Sequence, residues 1–154
     1  MFKKIGFKIN EKEYFQDHSV FYELTKSKPK SINFPNLYEK NLCLFNSFIR
    51  HHEDDVKRLN DIMKISTGYF YLFGAHIFSQ FLIVLGLNTD KIKFIIDNSE
   101  EKQEKRLYGT KLIVKSPKVL INEKNPVVIL RAANYNKEIK EDILNNINSK
   151  CEFL

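Results

Sequence analysis

The stretch YFYLFGAHIFSQFLIVLGLNTDKIKFIIDN, Tyr69 to Asn98, decides how the chain is read. Tyr69 to Phe73 is apolar throughout, as suits a strand covered on both faces of a parallel sheet. Ile77, Phe78, Phe81, Leu82 and Leu85 follow at helical spacing, the stripe of a helix lying on that sheet. Gly86 or Asn88 can end the helix, and Ile92 to Ile96 supplies a second strand that closes at Asp97-Asn98. Strand, helix and strand within about thirty residues make a βαβ unit.

Working outward, KLIV (111–114) reads as a short strand, SPKVL (116–120) as a turn with helical character, and VVIL (127–130) as another buried strand. Asn134 or Asn136 can cap a following helix whose inward face is Ile139, Ile143, Leu144 and Ile147, and CEFL (151–154) can add a last strand. Upstream, Leu37, Leu44, Phe45, Phe48, Ile49, Val56, Leu59 and Met63 trace a long helix after Pro35. Before it, β-favourable runs at Gly6–Ile9 and Val20–Leu24 suggest a hairpin. The expected fold is α/β: a small Rossmann-like parallel sheet with flanking helices, preceded by a β-hairpin and a long linking helix. The expected segments are residues 1–25, 26–66 and 67–154.

With 154 residues, 43% of them hydrophobic, the chain can bury one ordinary core. No apolar run reaches the roughly 20 residues that span a bilayer, and MFKKIGFKIN lacks the apolar centre of a signal peptide, so a cytoplasmic protein without membrane contact is expected. Cys43 and Cys151 show neither metal-ligand spacing nor a disulfide framework and read as reduced thiols. His51 and His52 are adjacent, which on a helix turns them about 100° apart and prevents joint chelation of one metal. The formal charge of +6 invites an anionic partner, but lysine and glutamate interleave, as in NSEEKQEKR, and no aromatic ladder accompanies the basic stretch KSKPKS. That pattern argues against nucleic acid.

The glycine of the opening stretch resembles the start of a dinucleotide fingerprint, GxGxxG, but the aligned positions are Gly74, His76 and Ser79. An imidazole at the second position obstructs the place of a pyrophosphate, although Asp97, 23 residues after Gly74, stands where a ribose-binding acid is expected. Ligands of open α/β sheets still collect beyond the carboxyl ends of the strands. Those ends carry Gly74, Ala75 and His76, then Asp97 and Asn98, then Arg131, Asn134 and Tyr135, with Gln80 four residues beyond His76 on the first helix. These nine are the candidate binding residues for a nucleotide sugar or similar small anion. Each also has a plain structural role open to it: His76 and Asn134 at helix starts, Asn98 in a turn.

The order FGAHIFSQ, FIIDNSEEKQEKRLYGTKLIV, SPKVL and NPVVILRAANYNKEI resembles the C-terminal domain of sugar C-methyltransferases over roughly residues 66–147. GFKINEKEYFQDHSVFYELTKS is similar to the closing hairpin of a class I S-adenosylmethionine (SAM)-dependent methyltransferase domain, with Asp17-His18-Ser19 where that family turns through His-Gly-Gly-Ser. The resemblance implies a substrate-binding or interaction role, with SAM and the catalytic Glu-His element belonging to a separate or missing methyltransferase domain. No catalytic residue and no cofactor are expected in this chain itself. The family's Gly-Ala-x-x-Lys-Gly reads Gly74-Ala75-His76-Ile77-Phe78-Ser79 here, so its lysine is absent. A stand-alone nucleotide-binding module of a sugar-modifying enzyme or oxidoreductase, and a purely structural assembly domain, remain open on the residues alone.

Overall fold

The computed structural model describes residues 1–16 and 19–154; Asp17 and His18 of the expected hairpin turn lie outside the described residues. The chain forms two compact units, Met1–Cys43 and Leu44–Leu154, with the boundary inside the long helix.

The first unit is built on a hairpin of β1 (Phe7–Phe15) and β2 (Ser19–Lys26), antiparallel and preceded by a 3₁₀ turn at Phe2–Ile5. Strand β1 runs well past Ile9 because of a bulge between Ile9 and Glu11. One extra residue reverses the inside–outside alternation, so Phe7 and Ile9 share a face with Tyr14, and across the ladder with Val20, Tyr22 and Leu24. None of the described residues in the two strands is fully buried.

In the second unit, α1 (Tyr38–Ile65) buries Val56, Leu59 and Met63 at the spacing of one helix face. Next come β3 (Phe70–Phe73), α2 (Ile77–Val84), β4 (Ile92–Ile96), β5 (Val114–Lys115), β6 (Val127–Leu130), α3 (Asn136–Asp142) and β7 (Glu152–Phe153). The five strands pair in parallel in the order β5-β4-β3-β6-β7. All four residues of β3 are buried. Phe70 and Leu72 join α1 and α2 on one face of the sheet, while Tyr71 and Phe73 meet Leu120, Ile143 and Cys151 on the other. This two-residue alternation gives a three-layer α/β unit. Each large side chain removed from water in this way contributes roughly 1.5–3 kcal/mol.

Helix α2 stops because Gly86 takes φ +97, letting Leu87 N–H reach the Leu82 carbonyl and Gly86 N–H reach that of Ile83, at 3.0 Å each. Leu82 and Leu87 are both buried there, the apolar contact that accompanies this kind of helix end. Asn60 of α1 fastens the same turn, donating to the Gly86 carbonyl at 2.9 Å and accepting the Asn88 N–H at 2.8 Å.

From β3 the chain moves outward one way to β4 and β5, then returns to β3's other side for β6 and β7. The reversal lies between β3 and β6, the switch point beyond whose strand ends ligands of open α/β sheets collect.

Candidate functional site

Gly74 follows β3 with φ +97, which only glycine adopts without strain, and its N–H donates to the Ile96 carbonyl at 2.7 Å. The turn is then closed from within. A β-carbon on Gly74 would overlap the imidazole of His76, which folds back over the glycine. His76 is the N-cap of α2, its Nδ1 accepting the Phe78 N–H at 3.3 Å. The buried Ser79 hydroxyl sits 2.5 Å from the Gly74 carbonyl and 3.2 Å from that of Phe73.

Asp97, at the end of β4, ties the turn to the next strand. Its Oδ2 accepts the Ala75 N–H at 2.7 Å and Lys102 Nζ at 3.2 Å, and its Oδ1 accepts the Ser99 N–H at 2.9 Å. Gln103 Nε2 donates to its backbone carbonyl at 3.0 Å. Burial opposes ionisation of Asp97, but the N–H groups of Ser99 and Ala75 together with the Lys102 ammonium outweigh it, so the carboxyl is held below the usual carboxylate range. Burial also pushes His76 below the usual imidazole value; the Asp97 charge works against that shift and Lys102 with it. The turn therefore holds a carboxylate and a neutral imidazole where a nucleotide-binding turn presents open N–H groups to phosphate.

The other candidates are distributed differently. Arg131 is a clamp: its Nε and Nη2 donate to Asp55 Oδ2 of α1 at 3.0 and 2.7 Å, and its Nη1 donates to the carbonyls of Leu130 and Leu154 at 2.9 and 2.7 Å. Asn98, Asn134 and Tyr135 are exposed. Asn136, not Asn134, turns back on the backbone, its Oδ1 accepting the Ala132 N–H at 2.6 Å. Gln80 faces the β4–β5 connection, its Nε2 donating to the Tyr108 carbonyl at 3.4 Å. Gly74, Ala75, His76 and Asp97 are thus brought into one cluster; Arg131, Asn134 and Tyr135 belong to the neighbouring loop after β6.

The β4–β5 connection adds residues that sequence reasoning passed over. A cleft of about 380 Å³ lies beside Ala75 and Gln80, lined across from them by Lys102, Lys105, Arg106 and Tyr108. Lys102 is paired with Asp97, and Glu104 with Lys115 at 2.6 Å, whereas Lys105 and Arg106 pair with no carboxylate among the described residues. In NSEEKQEKR these charges alternate and read as a solvated surface; only the fold separates Glu104 from the two free cations.

Among the described residues no group of three or more His, Cys, Asp or Glu could hold a metal ion, and no helix is long and apolar enough to cross a membrane. Both cysteines are free; Cys43 is exposed, and burial, helped by Glu152, pushes the Cys151 thiol up to about 11.

Residues 27–154, which include α1 and the whole five-stranded sheet, match the family model of the C-methyltransferase C-terminal domain. The chain belongs to that family. Curated proteins compared with the chain give no match. The family match reaches well upstream of the motifs, through the whole of α1, and leaves the hairpin outside it. Within this C-methyltransferase C-terminal domain the turn after β3 does not fit SAM, since His76 and the Asp97 carboxylate fill the position a nucleotide cofactor takes at a glycine turn.

Proposed function

We propose that the unit Leu44–Leu154 is the substrate-holding part of a SAM-dependent sugar C-methyltransferase. It binds a nucleotide-linked sugar beyond the carboxyl ends of the strands, and the methyl donor is bound by a separate SAM-binding domain. The observation that carries this reading is the cleft beside Ala75 and Gln80 with its two unpaired cations, Lys105 and Arg106, at the strand ends of a chain of this family. The residues of this chain bind and orient the substrate; no step of methyl transfer falls to them. The nucleotide-sugar role places the protein in the cytoplasm, in the supply of sugars for polysaccharide biosynthesis.

Calorimetric titration of the chain with uridine-, guanosine- and thymidine-diphosphate sugars, and separately with SAM and NAD, tests the reading. At least one nucleotide sugar should bind in the micromolar range and SAM should not. Binding of SAM or NAD without any nucleotide sugar would overturn it, the NAD outcome favouring an oxidoreductase module instead.

A further inference from the structure

Resting on the nucleotide-sugar reading, we infer that the nucleoside diphosphate is held not in the glycine turn but on the flank of α2. Lys105 and Arg106 take the diphosphate, and an apolar slot between α2 and Tyr108 takes the base.

The glycine turn is unsuited to phosphate on electrostatic grounds. Its Ala75 N–H is already taken by the Asp97 carboxylate, the Phe78 N–H by His76, and an incoming phosphate would meet a like charge on Asp97. The favourable field of a helix N-terminus is offset there by a full negative charge. Uncompensated positive charge lies across the cleft. Lys105 and Arg106 are exposed side by side on the β4–β5 connection, and the neighbouring hollow of about 700 Å³ is lined by Arg106 through Lys111, which adds a third cation without an ion pair among the described residues. Glu104 is turned to Lys115, and Glu101 is the carboxylate that remains on the cleft's rim. Arginine beside lysine suits a diphosphate, the guanidinium giving paired donors and the ammonium a point charge.

The second half of the argument is apolar. A slot of about 340 Å³ runs along α2, lined by Ile77, Ile83 and Val84 on the helix and by Tyr108, Gly109 and Thr110 opposite. Ile77, which the helical spacing assigns to the stripe lying on the sheet, instead turns outward into solvent with Val84 while Leu82 is buried, and Tyr108 is 88% exposed with its ring free to stack. Gln80 and Tyr108 border both this slot and the basic cleft, so the two meet at one wall. A ligand with a flat apolar ring joined to a diphosphate spans them; a base with its ribose suits the slot's size, and a chain of many isoprene units does not. The sugar then points toward Ala75 and Lys102, at the strand ends.

The test uses uridine, guanosine and thymidine diphosphates, inorganic pyrophosphate and geranylgeranyl diphosphate, titrated into the whole chain and into Lys105→Ala/Arg106→Ala, Tyr108→Ala and His76→Ala, each checked for retained helix content and melting temperature. One of the nucleotides should bind at least tenfold more tightly than pyrophosphate. The double variant should lose tenfold or more for both, and Tyr108→Ala should lose about fivefold for the nucleotide with pyrophosphate unchanged. Nucleotide binding untouched by the double variant and by Tyr108→Ala, but weakened by His76→Ala, would overturn this subsite while leaving the nucleotide-sugar reading in place. Pyrophosphate binding as tightly as the nucleotides would overturn the base slot, and tighter binding of the prenyl compound would replace the base by a lipid. If neither nucleotides nor pyrophosphate bind, the subsite and the reading beneath it fall together.

Discussion

The two sheets of this protein use the same kinds of side chain and fare very differently. In β3 every residue is buried, with Leu72 at 0% exposure, whereas in the hairpin Phe21 is 64% exposed and no described strand residue is fully buried. The difference is not one of β-propensity, since both regions are rich in aromatic and branched residues. It lies in what covers them: β3 has a strand on each side and a layer on each face, while the hairpin has a single ladder. A two-stranded ladder is marginal by itself, because burial supplies most of a sheet's stability.

The largest contrast should therefore appear in stability. Leu72→Ala should cost about 2–5 kcal/mol in denaturant unfolding, and Phe21→Ala less than about 0.5 kcal/mol. Hydrogen exchange should show the same split, with amides of β3 and β6 exchanging only on unfolding of the second unit and those of the hairpin exchanging fast. Comparable protection in the two regions would break the comparison and mean that the hairpin's face of Phe7, Ile9, Tyr14, Val20, Tyr22 and Leu24 is covered in solution.

A smaller effect separates the strand-end residues that bind from those that brace. Arg131 was a candidate for ligand contact, yet its guanidinium is spent on Asp55 and on the Leu130 and Leu154 carbonyls. Burial disfavours the Asp55 charge, but Arg58 and Arg131 outweigh it and hold the carboxyl below its usual range. With both side chains of the Arg131–Asp55 pair partly exposed, solvent screening limits its worth. Arg131→Met should cost about 1–2 kcal/mol, mainly from carbonyls and a carboxylate left with fewer donors. A thermal melt that does not move, together with weaker nucleotide-sugar binding, would return Arg131 to the ligand.

How far the residues announced this arrangement depended on how local the deciding interaction was. The βαβ unit was legible because the apolar period changes from two to helical within one stretch, and both periods are set by neighbours in sequence. Its edges moved by small steps: Tyr69, 61% exposed, falls outside β3. The strand read in KLIV narrows to Val114–Lys115, since Ile113 instead bridges Arg106 in the antiparallel sense. In the hairpin a bulge breaks the alternation that marks a strand, so β1 extends beyond the Gly6–Ile9 run that the sequence displays. The Gly74, His76 and Asp97 cluster was readable as a group, being the ends of two adjacent strands. The bracing of Arg131 was not, because Asp55 lies 76 residues earlier on a different element. Lys105 and Arg106 were hidden for a third reason: their freedom depends on where the fold sends Glu104, which no spacing reveals.

The smallest effect we expect is one of pH, and it isolates the closed turn. His76 caps α2 through the lone pair of Nδ1, so the cap requires the neutral ring; a proton there turns the acceptor into a donor facing the Phe78 N–H. Its folded pKa lies below the value of 6.5 that an unperturbed imidazole has in the unfolded chain, chiefly through burial. As pH falls through 6.5, the unfolded state takes up the proton first, so His76's contribution is complete above that value, erodes as pH drops toward the folded pKa, and is lost below it. Asp97, also lowered in the folded state, keeps its contribution down to 3.8, the unfolded value, and loses it as pH falls on through the folded pKa. The His76 window opens at the higher pH, and His76→Asn isolates it: asparagine can cap a helix but does not titrate, so that window should vanish with little change at pH 8. His76→Ala should remove the same window and cost about 0.5–1 kcal/mol at pH 8, the lower part of the range for a lost cap. Melts of the three proteins between pH 8 and pH 5 decide the matter. If the wild-type curve and the His76→Asn curve stay parallel throughout, the imidazole is not acting as a cap in solution, and the turn after β3 is open to a ligand.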